Sequence, residues 1–177
     1  MLVGIIAIPY SSKDVRRLVG LARVVDIEEK ASIVARLLAG LGGGPSVNVV
    51  ALNNSAGLTE RGLRLASRRA PQVRFLDLSP LGNEEDTRLA AAFAEEKASP
   101  VIAVGGDGTL RAAVEGWPRA PLVPVAAGTN NAISLTIEPK VIGLATARVS
   151  DPAVAGPIVP TPFQSDGGNG LGGVRPR

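Results

Sequence analysis

The chain has no cysteine and no histidine among its 177 residues. The first absence excludes disulfides, thiolate nucleophiles, zinc fingers and iron–sulfur clusters. The second excludes a Ser-His-Asp triad, histidine metal ligands and an imidazole acid or base. Proton chemistry is left to Asp, Glu, Lys or the single Tyr10. Aromatic residues are 3% of the chain, so aliphatic side chains must build the core. The same scarcity leaves few rings on which single-stranded bases could stack. No apolar run reaches the roughly 18 residues that suggest a membrane span. The opening Met1-Leu2-Val3-Gly4-Ile5-Ile6 has no charged leader region and no small-residue cleavage site, and reads as a first strand. A cytoplasmic protein with no membrane partner is the expectation.

Charge of one sign is also scarce. Nineteen basic residues face sixteen acidic ones, and the balance is even along the chain: six to five in residues 1–60, nine to eight in 61–120, four to three in 121–177. That is not a nucleic-acid footprint. Arg61, Arg64, Arg68 and Arg69 do cluster, and the first three share one helix face. They read as a solvated face before a binding stripe.

What is present is an alternation of apolar runs and helical periods. Leu2 to Ile8 is a buried-strand pattern. Ser11 and Asp14 resemble a capping box ahead of Val15, Leu18, Val19 and Ala22, which recur at helical spacing. A second helix starts near Asp26, with Glu29 three residues on. Ile27, Ala31, Val34, Leu38 and Leu41 mark its apolar stripe, and Gly42-Gly43-Gly44-Pro45 ends it. Val47 to Leu52 is the next strand. Thr59 is placed to cap a third helix that stops before Pro71, and Val73 to Leu78 is a short strand. Asn83 caps a fourth helix with Glu84, Glu85 and Asp86 in its first turn, and Phe93 faces inward.

Pro100-Val101-Ile102-Ala103-Val104 is a strand that runs into Gly105-Gly106-Asp107-Gly108-Thr109. The following helix carries Leu110, Ala113, Val114 and Trp117 on one side and stops at Gly116 and Pro118. Leu122 to Ala126 is another strand despite Pro124, which has no N–H for a ladder. Gly128-Thr129-Asn130-Asn131 follows it. This order predicts an α/β fold: a parallel, three-layer Rossmann-like sheet with helices on both faces and right-handed crossovers. Residues 150–177 hold five Pro and six Gly among 28 positions and read as a tail.

Ligands of open parallel sheets bind beyond the carboxyl ends of the strands, where both glycine turns fall. Gly105, Gly106 and Gly108 let backbone N–H groups approach an anion closely, and Thr109 stands near a helix start that favours phosphate. Asp107 repels a phosphate unless it holds Mg²⁺ or accepts a proton from an attacking hydroxyl. A Walker A loop is excluded because no Lys ends the turn. Gly106-x-Gly108-x-x-Arg111 lacks the third glycine of a dinucleotide fingerprint. Further candidates are Tyr10 to line the cleft, Lys13, Arg16, Arg17 and Arg111 toward phosphate, and Asn53, Asn54 and Ser55 toward ribose. Each has a plain alternative as a surface, packing or loop residue. Trp117 is expected to pack the helix end.

Gly105-Gly106-Asp107-Gly108-Thr109 resembles the Gly-Gly-Asp-Gly-Thr signature of NAD kinases, diacylglycerol kinases and sphingoid-base kinases. Gly128-Thr129-Asn130-Asn131 is similar to the Gly-Thr-x-Asn element that follows it. The stretch Ile5 to Val19, with Glu29-Lys30 and the apolar helix after it, most resembles the ATP-NAD kinase-like proteins of the acetoin-catabolism X type. The resemblance covers residues 1–149. It implies an N-terminal α/β nucleotide-binding domain, with the family's C-terminal β-rich domain missing and 150–177 a disordered or non-native tail.

It also implies ATP, Mg²⁺ as the divalent cation, and NAD as the leading acceptor. Asp107 would be the base toward the NAD ribose 2′-hydroxyl. Gly105, Gly106, Gly108 and Thr109 would hold phosphate, and Gly128, Thr129, Asn130 and Asn131 would contact nucleotide. No separate metal-ligand set is expected. Nucleotides are the expected partners, nucleic acid is not, and self-association is left open. A non-catalytic nucleotide-binding module or truncated pseudoenzyme is the alternative. A lipid kinase-like domain comes third, because Asn131 stands where those relatives carry an acid.

Overall fold

A computed structural model of the chain describes residues 1–9, 25–52, 57–76, 92–128, 131–134 and 136–149. The elements are β1 (Leu2–Ala7), α1 (Ile27–Leu41), β2 (Asn48–Leu52), α2 (Leu58–Ala66) with a 3₁₀ turn at Ser67–Arg69, β3 (Gln72–Leu76), β4 (Val101–Gly105), α3 (Asp107–Gly116), β5 (Leu122–Ala126) and α4 (Pro139–Val149). Residues 92–95 are also helical. The expected helices after Ser11 and Asn83 otherwise lie outside the described residues, as does the segment 150–177.

The five strands form one sheet in the order β3-β2-β1-β4-β5, and every pairing is parallel. The chain builds outward from β1 through β2 to β3, then returns to β1's other side for β4 and β5. The carboxyl ends of β1 and β4 therefore flank the switch point, where an open α/β sheet has its crevice.

Both sheet faces are buried, as the near-continuous apolar strands predict. Side chains alternate across a strand. Val3, Ile5 and Ala7 of β1, Val49 and Ala51 of β2, and Ile102 and Val104 of β4 enter one core with α1, α2 and α4. Ile6, Val50, Leu52 and Val101 enter a second core with Phe93, Ala98 and Ala113. Trp117 packs against that second core, as expected. The three layers are thus one sheet between two apolar clusters.

α1 is the central helix of its layer. Asp26 caps it by accepting the Glu29 N–H at 2.7 Å, and the chain leaves it at Gly42. Leu37, Leu38 and Leu41 are fully buried beneath it, and truncating a leucine so placed typically costs about 2–5 kcal/mol. α4 crosses α1 at backbone contact. A Cβ on Gly40 would come within 2.2 Å of the Lys140 carbonyl oxygen, and one on Gly143 within 2.2 Å of that of Leu37. α4 has no counterpart among the sequence expectations. Its start is nonetheless encoded, by Pro139 at the first turn and by Glu138, whose Oε2 accepts the Val141 N–H at 3.1 Å.

Two local expectations change, and a third, the strand across Pro124, is borne out with its reason. Ile27 and Val114, assigned to inward stripes, are exposed. Pro124 does sit in a strand. Val101 donates to the Pro121 carbonyl and Ala127 to that of Gly105, so odd-numbered residues of β5 bond to β4. Pro124 then points its missing N–H away from β4, the side of an edge strand where it costs no ladder bond. Thr59 does not cap α2, which begins one residue earlier at Leu58, after Gly57 in the left-handed region with φ of 59°. Thr59 is instead buried, and its Oγ1 has no hydrogen-bond partner among the described residues. The isosteric Thr59→Val removes that orphaned hydroxyl and is expected to stabilise the fold by about 1 kcal/mol, read as a higher urea midpoint.

Candidate functional site

β4 ends at Gly105 and α3 begins at Asp107, so Gly106 is the whole connection. Gly106 is the N-cap, in extended conformation, and no side chain caps the helix. The N–H groups of Thr109 and Leu110 both return to the Gly106 carbonyl, at 3.0 and 3.3 Å. Those of Asp107 and Gly108 find no acceptor among the described residues. Two free amides at the positive end of α3 form a ready anion cradle. Gly108 is exposed, and a Cβ there would meet nothing within 4 Å. Thr109 turns the other way: it is 5% exposed, and its Oγ1 lies where a Gly105 Cβ would be, 2.3 Å from that position. Its side chain packs the turn from beneath.

The turn after β5 is seated directly on this one. A Cβ on Gly128 would lie 2.4 Å from the Gly106 Cα and 2.6 Å from its nitrogen. The Asn131 side chain closes the second turn on itself. Its Oδ1 accepts the Gly128 N–H at 3.0 Å, and its Nδ2 donates to the Gly128 carbonyl at 2.7 Å. Asp107 joins the two turns. Its Oδ2 accepts the Ala132 N–H at 3.1 Å and its Oδ1 the Ile133 N–H at 3.3 Å. The sequence admitted only a metal-binding or proton-accepting carboxylate there; the structure adds a clamp. Ser134, next along, is buried with no partner for its Oγ among the described residues.

The structure thus brings together Gly105, Gly106, Asp107, Gly108, Thr109, Gly128 and Asn131. Thr129 and Asn130 lie outside the described residues, as do Tyr10, Lys13, Arg16, Arg17, Asn53, Asn54 and Ser55. Arg111 is exposed and pairs with Glu115 one turn on, at 3.6 Å. Arg61 pairs with Glu28 and Arg64 with Glu60, while Arg68 and Arg69 line a groove beside α1 with Arg36 and Lys140.

Sequence reasoning missed Lys30. Its side chain is fully buried, and Nζ donates to the Pro9 carbonyl at 2.8 Å and to that of Ile8 at 3.3 Å. Its register was the available signal: positions 30, 34, 37 and 41 form the inward stripe of α1. Burial pushes the Lys30 ammonium down from 10.5 to about 8. The folded chain then releases this proton near pH 8, and the unfolded chain keeps it to about 10.5. The unfolded state binds more protons in that window, so stability rises with pH across it, by up to roughly 3 kcal/mol. Urea midpoints at pH 7.5 and pH 10 check this: Lys30→Met is expected to lose the rise relative to the parent chain.

An apolar cavity of about 590 Å³, lined by Met1, Pro100, Leu122, Ile142 and Val149 among others, opens at the opposite edge, where the strands begin. It lacks the converging polar groups of the two turns, which hold the stronger chemical case despite their open shape. Among the described residues no three His, Cys, Asp or Glu side chains group as a metal site, and no helix is long and apolar enough to cross a membrane.

The diacylglycerol kinase catalytic domain family matches residues 48–152, which span both turns. The chain belongs to this family, and so to the superfamily that contains the NAD kinases. It is similar to "Acetoin catabolism protein X" of Cupriavidus necator, with 36% identity over 151 residues; the match covers 81% of this chain and 42% of that protein. No solved structure matches the chain.

Proposed function

We propose that this chain forms the nucleotide-binding half of an ATP-dependent phosphotransferase, with the NAD 2′-hydroxyl as the leading acceptor. The observation that carries the reading is the junction at the switch point. Free amides of Asp107 and Gly108 face outward beside an open Gly108, and Gly128 rests on Gly106. In this reading those amides hold phosphate oxygens, and Thr129 and Asn130 complete the second wall. The acceptor oxygen bonds to the γ-phosphorus as the bond to ADP breaks, and the hydroxyl proton passes to the Asp107 carboxylate. One carboxylate, with no further acidic cluster among the described residues, suits a Mg²⁺ ion that arrives on the nucleotide phosphates. NAD is favoured by the resemblance of both motifs to NAD kinases.

The family takes its name from diacylglycerol kinases, so a lipid hydroxyl is the competing acceptor. Incubation with ATP, Mg²⁺ and either NAD or a diacylglycerol separates the two. NADP formation above the level of an Asp107→Asn control is expected; phosphatidate formation alone would move the acceptor to lipid. A second reading, nucleotide binding without turnover, is favoured by the Asp107 carboxylate, whose two oxygens are both engaged by backbone amides. Calorimetry that detects ATP binding in a chain with no transfer activity is its expected signature.

A further inference from the structure

We propose that the basic groove across the outer face of α1 is a docking site for an acidic, amphipathic helix of a partner protein.

Three helices build the groove. Ser32, Ala35 and Ala39 of α1 form its floor, on the side turned away from the buried Leu37, Leu38 and Leu41. The end of α2 with its 3₁₀ turn supplies one wall and the start of α4 the other. A Cβ on Gly42 would strike the Arg69 carbonyl oxygen, and one on Gly40 that of Lys140. Positions 40 and 42 are about 200° apart around a helix and about 3 Å apart along it. The two walls therefore meet opposite flanks of α1 at nearly the same height, and backbone packing fixes the gap between them. Small floor residues keep the centre low, and the space enclosed is about 590 Å³.

Charge then selects the occupant. Arg36 rises from the floor, Arg68 and Arg69 from one wall and Lys140 from the other, and no acidic side chain is in the lining. Glu138 at the margin pairs with Arg36 at 3.3 Å. Four cations against that one carboxylate leave an excess of three, as large as the net charge of the whole chain. The arginines that cluster in the sequence divide here. Arg61 and Arg64 are matched by Glu28 and Glu60, whereas the side chains of Arg68 and Arg69 make no ion pair among the described residues. Like charges gathered in one groove repel each other, and an acidic partner relieves that repulsion.

The apolar lining favours a peptide segment over a simple anion. Leu65 is 61% exposed beside the arginines, and Ala35 and Ala39 lie one turn apart on the floor. A phosphate ion makes no use of these groups. It also finds no free backbone amide, because the floor is the interior of a helix. A flat lipid surface does not enter a trough between two helices. An amphipathic helix fits both features: its apolar stripe lies over the alanines against Leu65, and glutamates on its flanks reach the two walls.

The test is fluorescence anisotropy of the full chain with a labelled peptide of roughly four helical turns, with leucines at helical spacing and glutamates elsewhere. Saturable one-to-one binding is expected, and it should weaken as salt rises. The exposed pair Arg69→Ala and Lys140→Ala together should lower affinity at least about tenfold. Ala39→Leu, which raises the floor, should block the peptide, and neither change should alter ATP binding at the turns. No saturable binding, or undiminished binding to either variant, overturns the proposal. So does equal affinity for the same peptide with lysine in place of glutamate, or for polyglutamate without leucines. Inorganic pyrophosphate or phosphatidylglycerol vesicles held by these same residues, with the peptide excluded, would also overturn it.

Discussion

Alanine at Gly108 is expected to leave the protein as stable or up to about 1 kcal/mol more stable, while weakening nucleotide binding at least about tenfold. Gly108 lies in the first turn of α3, where alanine is the better helix former. A Cβ there meets nothing within 4 Å, so no steric cost opposes the gain. The open space is where the proposed phosphate approaches the backbone, and a methyl group would hold it off. Gly128 is the contrast. Its Cβ would strike the Gly106 Cα at 2.4 Å, and backbone on both sides leaves no flexible side chain to yield. Gly128→Ala is expected to cost about 3 kcal/mol, near the upper end of ordinary overpacking, and to force the two turns apart. Thermal melts of the two variants, each with and without ATP, check the pair. Gly108→Ala should keep its melting temperature and lose the ATP-induced rise; Gly128→Ala should lose both.

Asp107→Asn is expected to separate the clamp from the chemistry. The substitution leaves one oxygen to accept and places an NH₂ against an N–H donor at the other position. The pair of hydrogen bonds to Ala132 and Ile133 cannot survive intact. About 1–2 kcal/mol of stability should go with it, since bonds to a charged acceptor are worth more than neutral ones, discounted for their exposure. Transfer activity should fall much further, by roughly 10²–10⁴, the usual contribution of a positioned general base. Chemical denaturation and initial rates, measured on the same preparation, decide how the two losses divide. A fall in activity no larger than the stability loss explains would reduce Asp107 to a clamp.

The parallel sheet and the place of both glycine turns at strand carboxyl ends were legible in the sequence because both depend on pattern; the strand order that makes the switch point was not. Strands such as Val101–Gly105 are continuous apolar runs that lead into glycine, and a parallel sheet buries both faces. Asp26 and Glu29 announced the start of α1 in the same local way. What escaped was set by contacts distant in the chain. Thr59 has a capping residue's identity, but the chain enters α2 through Gly57 and carries Thr59 into the interior. The strand over Leu122–Ala126 was read from the sequence; the pairing adds why Pro124 fits there, with its nitrogen on the outer edge of β5. Lys30 was hidden by its type, since a lysine is expected in solvent, and only the α1 register hints at burial. The Asp107 clamp joins residues 25 and 26 positions apart, a relation that no local motif encodes.

The central claim is that nucleotide phosphate sits where the turns after β4 and β5 meet. Amide chemical-shift mapping of the full chain with ATP tests it directly. The account predicts the largest shifts at Gly106, Asp107 and Gly108, with a second group at Asn131, Ala132 and Ile133. Largest shifts at the apolar cavity near Leu122, Ile142 and Val149, or no saturable change anywhere, would contradict it.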